Sequence, residues 1–215
     1  MSINFHAYQS RGYIFENFEV QCEQWRTLFS NYNPERVSCI LHLNYNEEYL
    51  FLTYFGDAYR LNLKTGVIEK KIEESWNDQL YFNETMSIYH LLHYVKNVPV
   101  LSGTWVLNEH LDERRKSGKV NDILLDSFSS KFSGKCNLLN EFCQRMNGTN
   151  INKGDVGFEF EAFPEVKLRL VFWDKDEDFP AQTQIFVDSR ITDYVHVETT
   201  GCMVSDLLER LEGFM

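Results

Sequence analysis

The 215-residue chain is acidic, with 32 Asp and Glu against 21 Lys and Arg for a net charge of −11, and 43% of its residues are hydrophobic. That apolar share excludes a disordered chain, because burial can offset the entropy of ordering. The negative field opposes phosphate backbones and anionic lipid, so neither a nucleic acid nor a membrane is expected as partner, and no apolar run nears the ~20 residues that span a bilayer.

Fifteen per cent of the residues are aromatic, with 17 Phe and 11 Tyr, a composition suited to pleated faces. The opening MSINFHAYQSRGYIFENFEV has no basic stretch leading into an apolar one, so no secretory signal is read. The five scattered cysteines, Cys22, Cys39, Cys136, Cys143 and Cys202, argue for reduced thiols in a cytoplasm.

In chain order, Phe15, Phe18, Cys22, Trp25 and Phe29 recur at helical steps and predict an amphipathic helix, which Pro34 closes. RVSCILHL, EYLFLTYF and AYRLNL read as β-prone runs separated by polar and Gly56-Asp57 turns, with LKTGVIEKK continuing an antiparallel meander. Ile88, Leu91, Leu92 and Val95 predict a helix over 83–96, and LSGTWVLNEHL a short extended piece. Two further helices are expected around Leu124 to Phe132 and Leu138 to Met146, parted by Gly134.

VGFEFEAF, VKLRLVFW and QTQIFVD then alternate apolar and polar residues, each strand having one buried and one wet face. Glu159 and Glu161 are expected opposite Lys167 and Arg169 across the PEV reversal. A final helix is predicted over Gly201 to Leu211. These elements make an α+β protein of antiparallel sheets and packed helices, organised as one domain over 1–215 with a sub-boundary at 147–154 as the alternative.

The chemical motifs are sparse. FWDKDEDFP places Asp174, Asp176 and Asp178 like the start of an EF-hand loop, but Phe179 and Ile185 occupy the positions that need glycine and a bidentate glutamate. It reads as a solvated turn guarding a sheet edge, anchored by Phe179-Pro180, ahead of weak Ca²⁺ or Mg²⁺ binding. His90 and His93, three apart on a helix, read as core-packed imidazoles rather than metal ligands. Cys136 and Cys143 lack a second cysteine pair, and SGKV and SGKC lack the remainder of a phosphate loop. No cofactor and no metal are expected.

From Gly154 onward, an alternating strand, a Phe-Pro, a strand running into Trp and acids, a second Phe-Pro, a strand ending in Asp-Ser and a Tyr before the last helix resemble the family known as domain of unknown function 3786. YLFLTYFGDAYRLNLKTG and IYHLLHYVKNVPVLSGTWV extend the resemblance back to Asn33. It implies a soluble protein of an anaerobic prokaryote without an assigned activity. Some members carry a cysteine-rich iron–sulfur segment, which this chain lacks. The positions matching the signature are Trp173, Glu177, Phe179, Pro180, Asp188, Ser189 and Tyr194, while Arg190 and VHVETTG depart from it.

Trp173, Asp174, Glu177, Asp188, Ser189 and Tyr194 are therefore the candidate ligand-binding residues. The leading expectation is a ligand-binding or accessory protein, with a small molecule or a protein as partner. An enzyme using carboxylates near Glu177 or Asp188 with Tyr194 or a histidine, and a protein-interaction module, stand as alternatives.

Overall fold

The computed structural model describes residues 18–111 and 120–215. Phe15, the amino-terminal leader reading and most of SGKV lie outside them. Helix α1 (Phe18–Leu28) and the short α2 (Glu35–Leu41) lead into β1 (Tyr49–Tyr54), β2 (Asp57–Asn62), β3 (Ile68–Ile72) and β4 (Ser75–Asn77), which pair in that order as an antiparallel meander. Helix α3 (Phe82–Tyr94), β5 (Trp105–Leu107) and a 3-10 turn (Asn108–His110) follow, then α4 (Val120–Phe132) and α5 (Cys136–Arg145). The chain finishes with β6 (Thr149–Asn150), β7 (Val156–Phe163), β8 (Val166–Trp173), β9 (Gln182–Asp188) and α6 (Val197–Glu212). The second sheet is also antiparallel, in the order β5-β9-β8-β7-β6. The fold is thus α+β, and among the described residues no helix is long and apolar enough to cross a membrane.

Most of these elements follow from local rules. Tyr54 and Asp57 close a two-residue hairpin in which Phe55 and Gly56 both take positive φ, the twist that suits right-handed strands. The backbone N–H of Phe55 donates to Ala162 O at 2.8 Å, joining the first sheet to β7. Beside the next turn, a Cβ on Gly66 would lie 2.1 Å from Arg26 O, so only glycine lets α1 settle over the β2–β3 connection. On β7 and β8, Glu159 faces Arg169 and Glu161 faces Lys167, as the alternation predicts; Glu159 itself accepts from both Arg169 Nε (2.9 Å) and Lys167 Nζ (3.0 Å).

Two expectations are overturned. RVSCILHL is mostly helix α2, not a strand: Val37 and Leu41 are buried one helical turn apart, and His42 at φ 53 stops the helix. Burial at a four-residue step overrides the β propensity of Val, Cys and Ile. Phe179 does not anchor the acidic loop, since its ring is 71% exposed. The backbone holds the turn instead: Asp176 Oδ1 accepts from the N–H groups of Asp178 and Phe179 at 2.9 and 2.7 Å. The final helix also starts earlier than its apolar spacing suggests, at Val197, with the His196 side chain accepting from Glu198 N.

One contiguous core takes the inner faces of both sheets, with Phe158, Phe160, Leu168, Leu170 and Ile185 from one and Leu50, Leu61 and Ile68 from the other. Helix α6 packs against α3, α4 and α5 and is buried at ten positions, more of its circumference than an amphipathic stripe requires.

Candidate functional site

The six residues singled out in the sequence form two groups at opposite ends of the β8–β9 ladder. Trp173 pairs with Gln182 at one end, and Asp188 closes β9 at the other, about 20 Å away at the rise of an extended strand. At the first end Trp173 is half-buried and Glu177 is exposed. The Asp174 carboxylate accepts from Gly134 N (2.7 Å), Lys175 N (2.8 Å) and Cys136 Sγ (3.4 Å), tying the α4–α5 turn to the end of β8. Donation from Gly134 N–H, more than the opposing burial, holds its carboxyl below the usual range. Burial and then Asp174 push the Cys136 thiol up to about 11, so this cysteine is a donor and not a thiolate.

At the other end, Asp188 accepts from Ser102 N, Gly103 N, Arg190 N and Ser102 Oγ at 2.7 to 3.0 Å. Burial opposes its charge, but these four donors more than offset it and hold its pKa low. Ser189 Oγ lies 2.8 Å from Ser102 Oγ, and the Tyr194 ring is buried nearby. Asp193, which sequence reasoning passed over, accepts from Lys96 Nζ (2.6 Å), Arg190 Nη2 (2.7 Å) and Val100 N (3.2 Å). Together Asp188 and Asp193 clamp the loop between α3 and β5 onto the end of β9, and Arg190 joins both. The donors come from the chain itself and leave neither carboxylate open to a ligand.

A second polar group lies where the sheets meet. Tyr54 OH donates to Asp206 Oδ2 (2.7 Å), Tyr59 OH donates to Glu84 Oε2 (2.6 Å), and the two rings stand 6.2 Å apart, edge to face. Arg210 reaches Asp57 (2.7 Å) and the Tyr59 hydroxyl (3.3 Å), and Lys70 also pairs with Asp57 (2.6 Å). Glu84 belongs to a capping box, accepting from Tyr81 N as well. Burial, reinforced by Glu84, pushes the Asp206 carboxyl up to about 8, so it holds a proton at neutral pH. Burial and Asp206 likewise raise Tyr54 well above the ordinary phenol value. Every charge here has its partner inside the fold.

The histidine pair separates. His90 is buried, its Nδ1 2.7 Å from Thr199 Oγ1, and burial followed by His196 and His93 depresses its pKa to about 4. His93 is exposed. Trp25 and Tyr94 meet both edge-on. Among the described residues no group of three His, Cys, Asp or Glu could hold a metal.

The remaining site is a cleft of about 330 Å³ between the end of β5, the first half of β9 and α4. It exists because β5 is short: Leu107 pairs with Phe186, so Gln182 to Ile185 have a strand partner only on the β8 side. Leu125, Ile185 and Val204 give it apolar walls, and Gln182, Thr183 and Gln184 line it beside them. Asn108 lines it too, 4% exposed, while its Oδ1 is turned away from solvent and has no hydrogen-bond partner among the described residues. A buried amide oxygen left unpaired costs about 1–3 kcal/mol.

Residues 33–210 match the family described as a domain of unknown function, DUF3786. The chain belongs to this family. No curated protein and no solved structure matches it. The DUF3786 span includes the loop clamp, the junction and the cleft alike. Of these, only the clamp contained residues that the linear signature marks. Asp206 and Arg210 carried a faint signal, an i,i+4 acid–base pair set among the buried apolar residues of α6. Asn108 carried none, since nothing in TWVLNEHL distinguishes a buried asparagine from a solvated one.

Proposed function

We propose that this DUF3786 protein is a ligand-binding or accessory protein whose small-molecule site is the cleft between β5, β9 and α4. The observation that carries the reading is the cleft itself, walled by the apolar Leu125, Ile185 and Val204 beside the polar Asn108, Gln182, Thr183 and Gln184. The cleft volume, about 330 Å³, falls within the range of small-molecule sites, and its mixture of apolar wall and few polar groups is typical of them. The compartment we propose is a reducing cytoplasm, supported by five cysteines that all stand as free thiols. An anaerobic setting rests on the family resemblance alone.

A thermal-shift screen of the full chain against metabolites, run in parallel on Asn108→Leu, tests the reading. A compound that raises the Tm of the parent protein and leaves that of Asn108→Leu unchanged is the expected result. A screen in which every shift is the same for both proteins overturns it.

A further inference from the structure

We propose that the junction between the sheets is a proton-operated latch: release of the Asp206 proton draws the Arg210 guanidinium off Asp57 and loosens the tip of the β1–β2 hairpin from α6. The charges of the junction do not balance. Asp57, Glu84 and Asp206 supply three carboxylates, whereas Lys70 and Arg210 supply two cations. Lys70 and Arg210 both pair with Asp57, at 2.6 and 2.7 Å, and lie 4.0 and 3.9 Å from Glu84. Asp206 forms no ion pair among the described residues and takes the Tyr54 hydroxyl instead. It is the carboxylate that the two cations leave over. A bare charge buried that deeply is strongly unfavourable, so this group holds the missing proton.

A second arrangement is built into α6. Arg210 follows Asp206 by one helical turn, the i,i+4 spacing at which side chains of one helix meet. With Asp206 neutral, Arg210 turns to the hairpin, pairing with Asp57 and lying 5.6 and 5.4 Å from the Tyr54 and Phe55 ring centres. When the carboxyl O–H breaks and its proton leaves to water, Arg210 is the cation that already acts on the new charge. Lys70 stays with Asp57, so each carboxylate keeps a cation while the hairpin tip loses its ion pair to α6. Tyr54 OH keeps its bond to Asp206, which confines the loosening to Phe55, Gly56 and Asp57. The remaining neighbours supply no compensating charge. Ser87 and Glu84 face the site from α3, Tyr59 from β2 and Glu209 from α6, and β7 contributes the Phe163 ring stacked on Tyr54. Helices α4 and α5 direct Lys131 to Glu212 and Arg145 to the Phe214 ring. The latch is closed while Asp206 is protonated and opens as pH rises through about 8.

Two titrations of the full chain from pH 6.5 to 9 test the latch. Infrared difference spectra follow the C=O stretch of the protonated carboxyl. Hydrogen exchange by NMR, corrected for the intrinsic rate, follows the Phe55 amide, which donates to Ala162 O at 2.8 Å, with the Leu170 amide of β8 as control. Expected are loss of the carboxyl band and, over the same range, a fall of about ten-fold or more in Phe55 protection with Leu170 unchanged. Asp206→Asn should remove both changes, and Arg210→Met, which has no charge to move, should hold Phe55 protection constant. A parent band that persists to pH 9, or one that titrates alike in Asp206→Asn, overturns the proposal. So does Phe55 protection that falls in Arg210→Met as in the parent, or in step with Leu170. Should a variant fail to fold, the parent still decides: a band that titrates with no change at Phe55 overturns the latch.

Discussion

The junction between the sheets is buried and the cleft beside β5 is open, and although both are polar they are built on opposite terms. At the junction Tyr54, Tyr59, Glu84, Asp206, Arg210, Lys70 and Asp57 satisfy one another, and the protonated Asp206 avoids an uncompensated charge. Beside the cleft, Asn108 Oδ1 has no hydrogen-bond partner among the described residues, and two acids, Glu109 and Asp126, line the walls. A complete network stabilises a particular arrangement of elements. An incomplete one lowers stability. The first kind holds this protein together, and Asp188, with its four internal donors, belongs to it as well.

The comparison can be broken most directly at Asp206. Its folded pKa of about 8 exceeds the ordinary 3.8, so folding takes up a proton between those values. The stability it confers is complete below pH 3.8 and is lost as pH rises through 8. Asp206→Asn cannot ionise and keeps an acceptor for Tyr54, so it should stabilise the protein by up to roughly 4 kcal/mol at pH 7 and remove that slope. Urea unfolding from pH 4 to 9 checks this, and a slope persisting in the variant would put the proton elsewhere in the network.

Arg210→Met should destabilise by about 3 kcal/mol, at the lower end for a broken buried pair because Lys70 still faces Asp57 and Glu84. The same denaturation measurement reads it; a neutral result would show the junction to be dispensable. At the cleft the sign reverses. Asn108→Leu removes an orphaned acceptor and should raise stability by about 1–2 kcal/mol while abolishing ligand-induced shifts. A destabilised Asn108→Leu would assign that side chain a structural role. The smallest effect belongs to Glu109→Gln and Asp126→Gln, which should each change stability by no more than ~0.5 kcal/mol, as expected for substitutions at the rim.

Legibility followed the range of the interactions. The β7–β8 pair was readable because period-two alternation in VGFEFEAF and VKLRLVFW states both the buried face and the Glu159–Arg169 register. α3 and α5 were readable from their apolar spacing, and Gly56 announced its hairpin. α2 was not, because over seven residues the β-branched and apolar content of RVSCIL fits a strand as well as a helix, and only packing of Val37 and Leu41 into the core settles it. The Phe179-Pro180 pair marked the loop correctly as distinctive, but the ring points to solvent because the Asx-turn at Asp176 already fixes the backbone.

The sequence by itself determined the α+β class, the antiparallel pairing of the second sheet and the family, since each depends on neighbouring residues or on their order. Which buried polar residues have partners was decided only by tertiary structure. Asp188, Asp206 and Asn108 are all buried to within a few per cent, and no local pattern separates them. What separates them is the supply of partners: residues about 85 positions away for Asp188, 152 for Asp206, and, among the described residues, none for the Oδ1 of Asn108. Hydrogen-bond satisfaction depends on which distant segments the fold brings within 3 Å, and that is settled by the packing of sheets and helices rather than by any stretch of the chain.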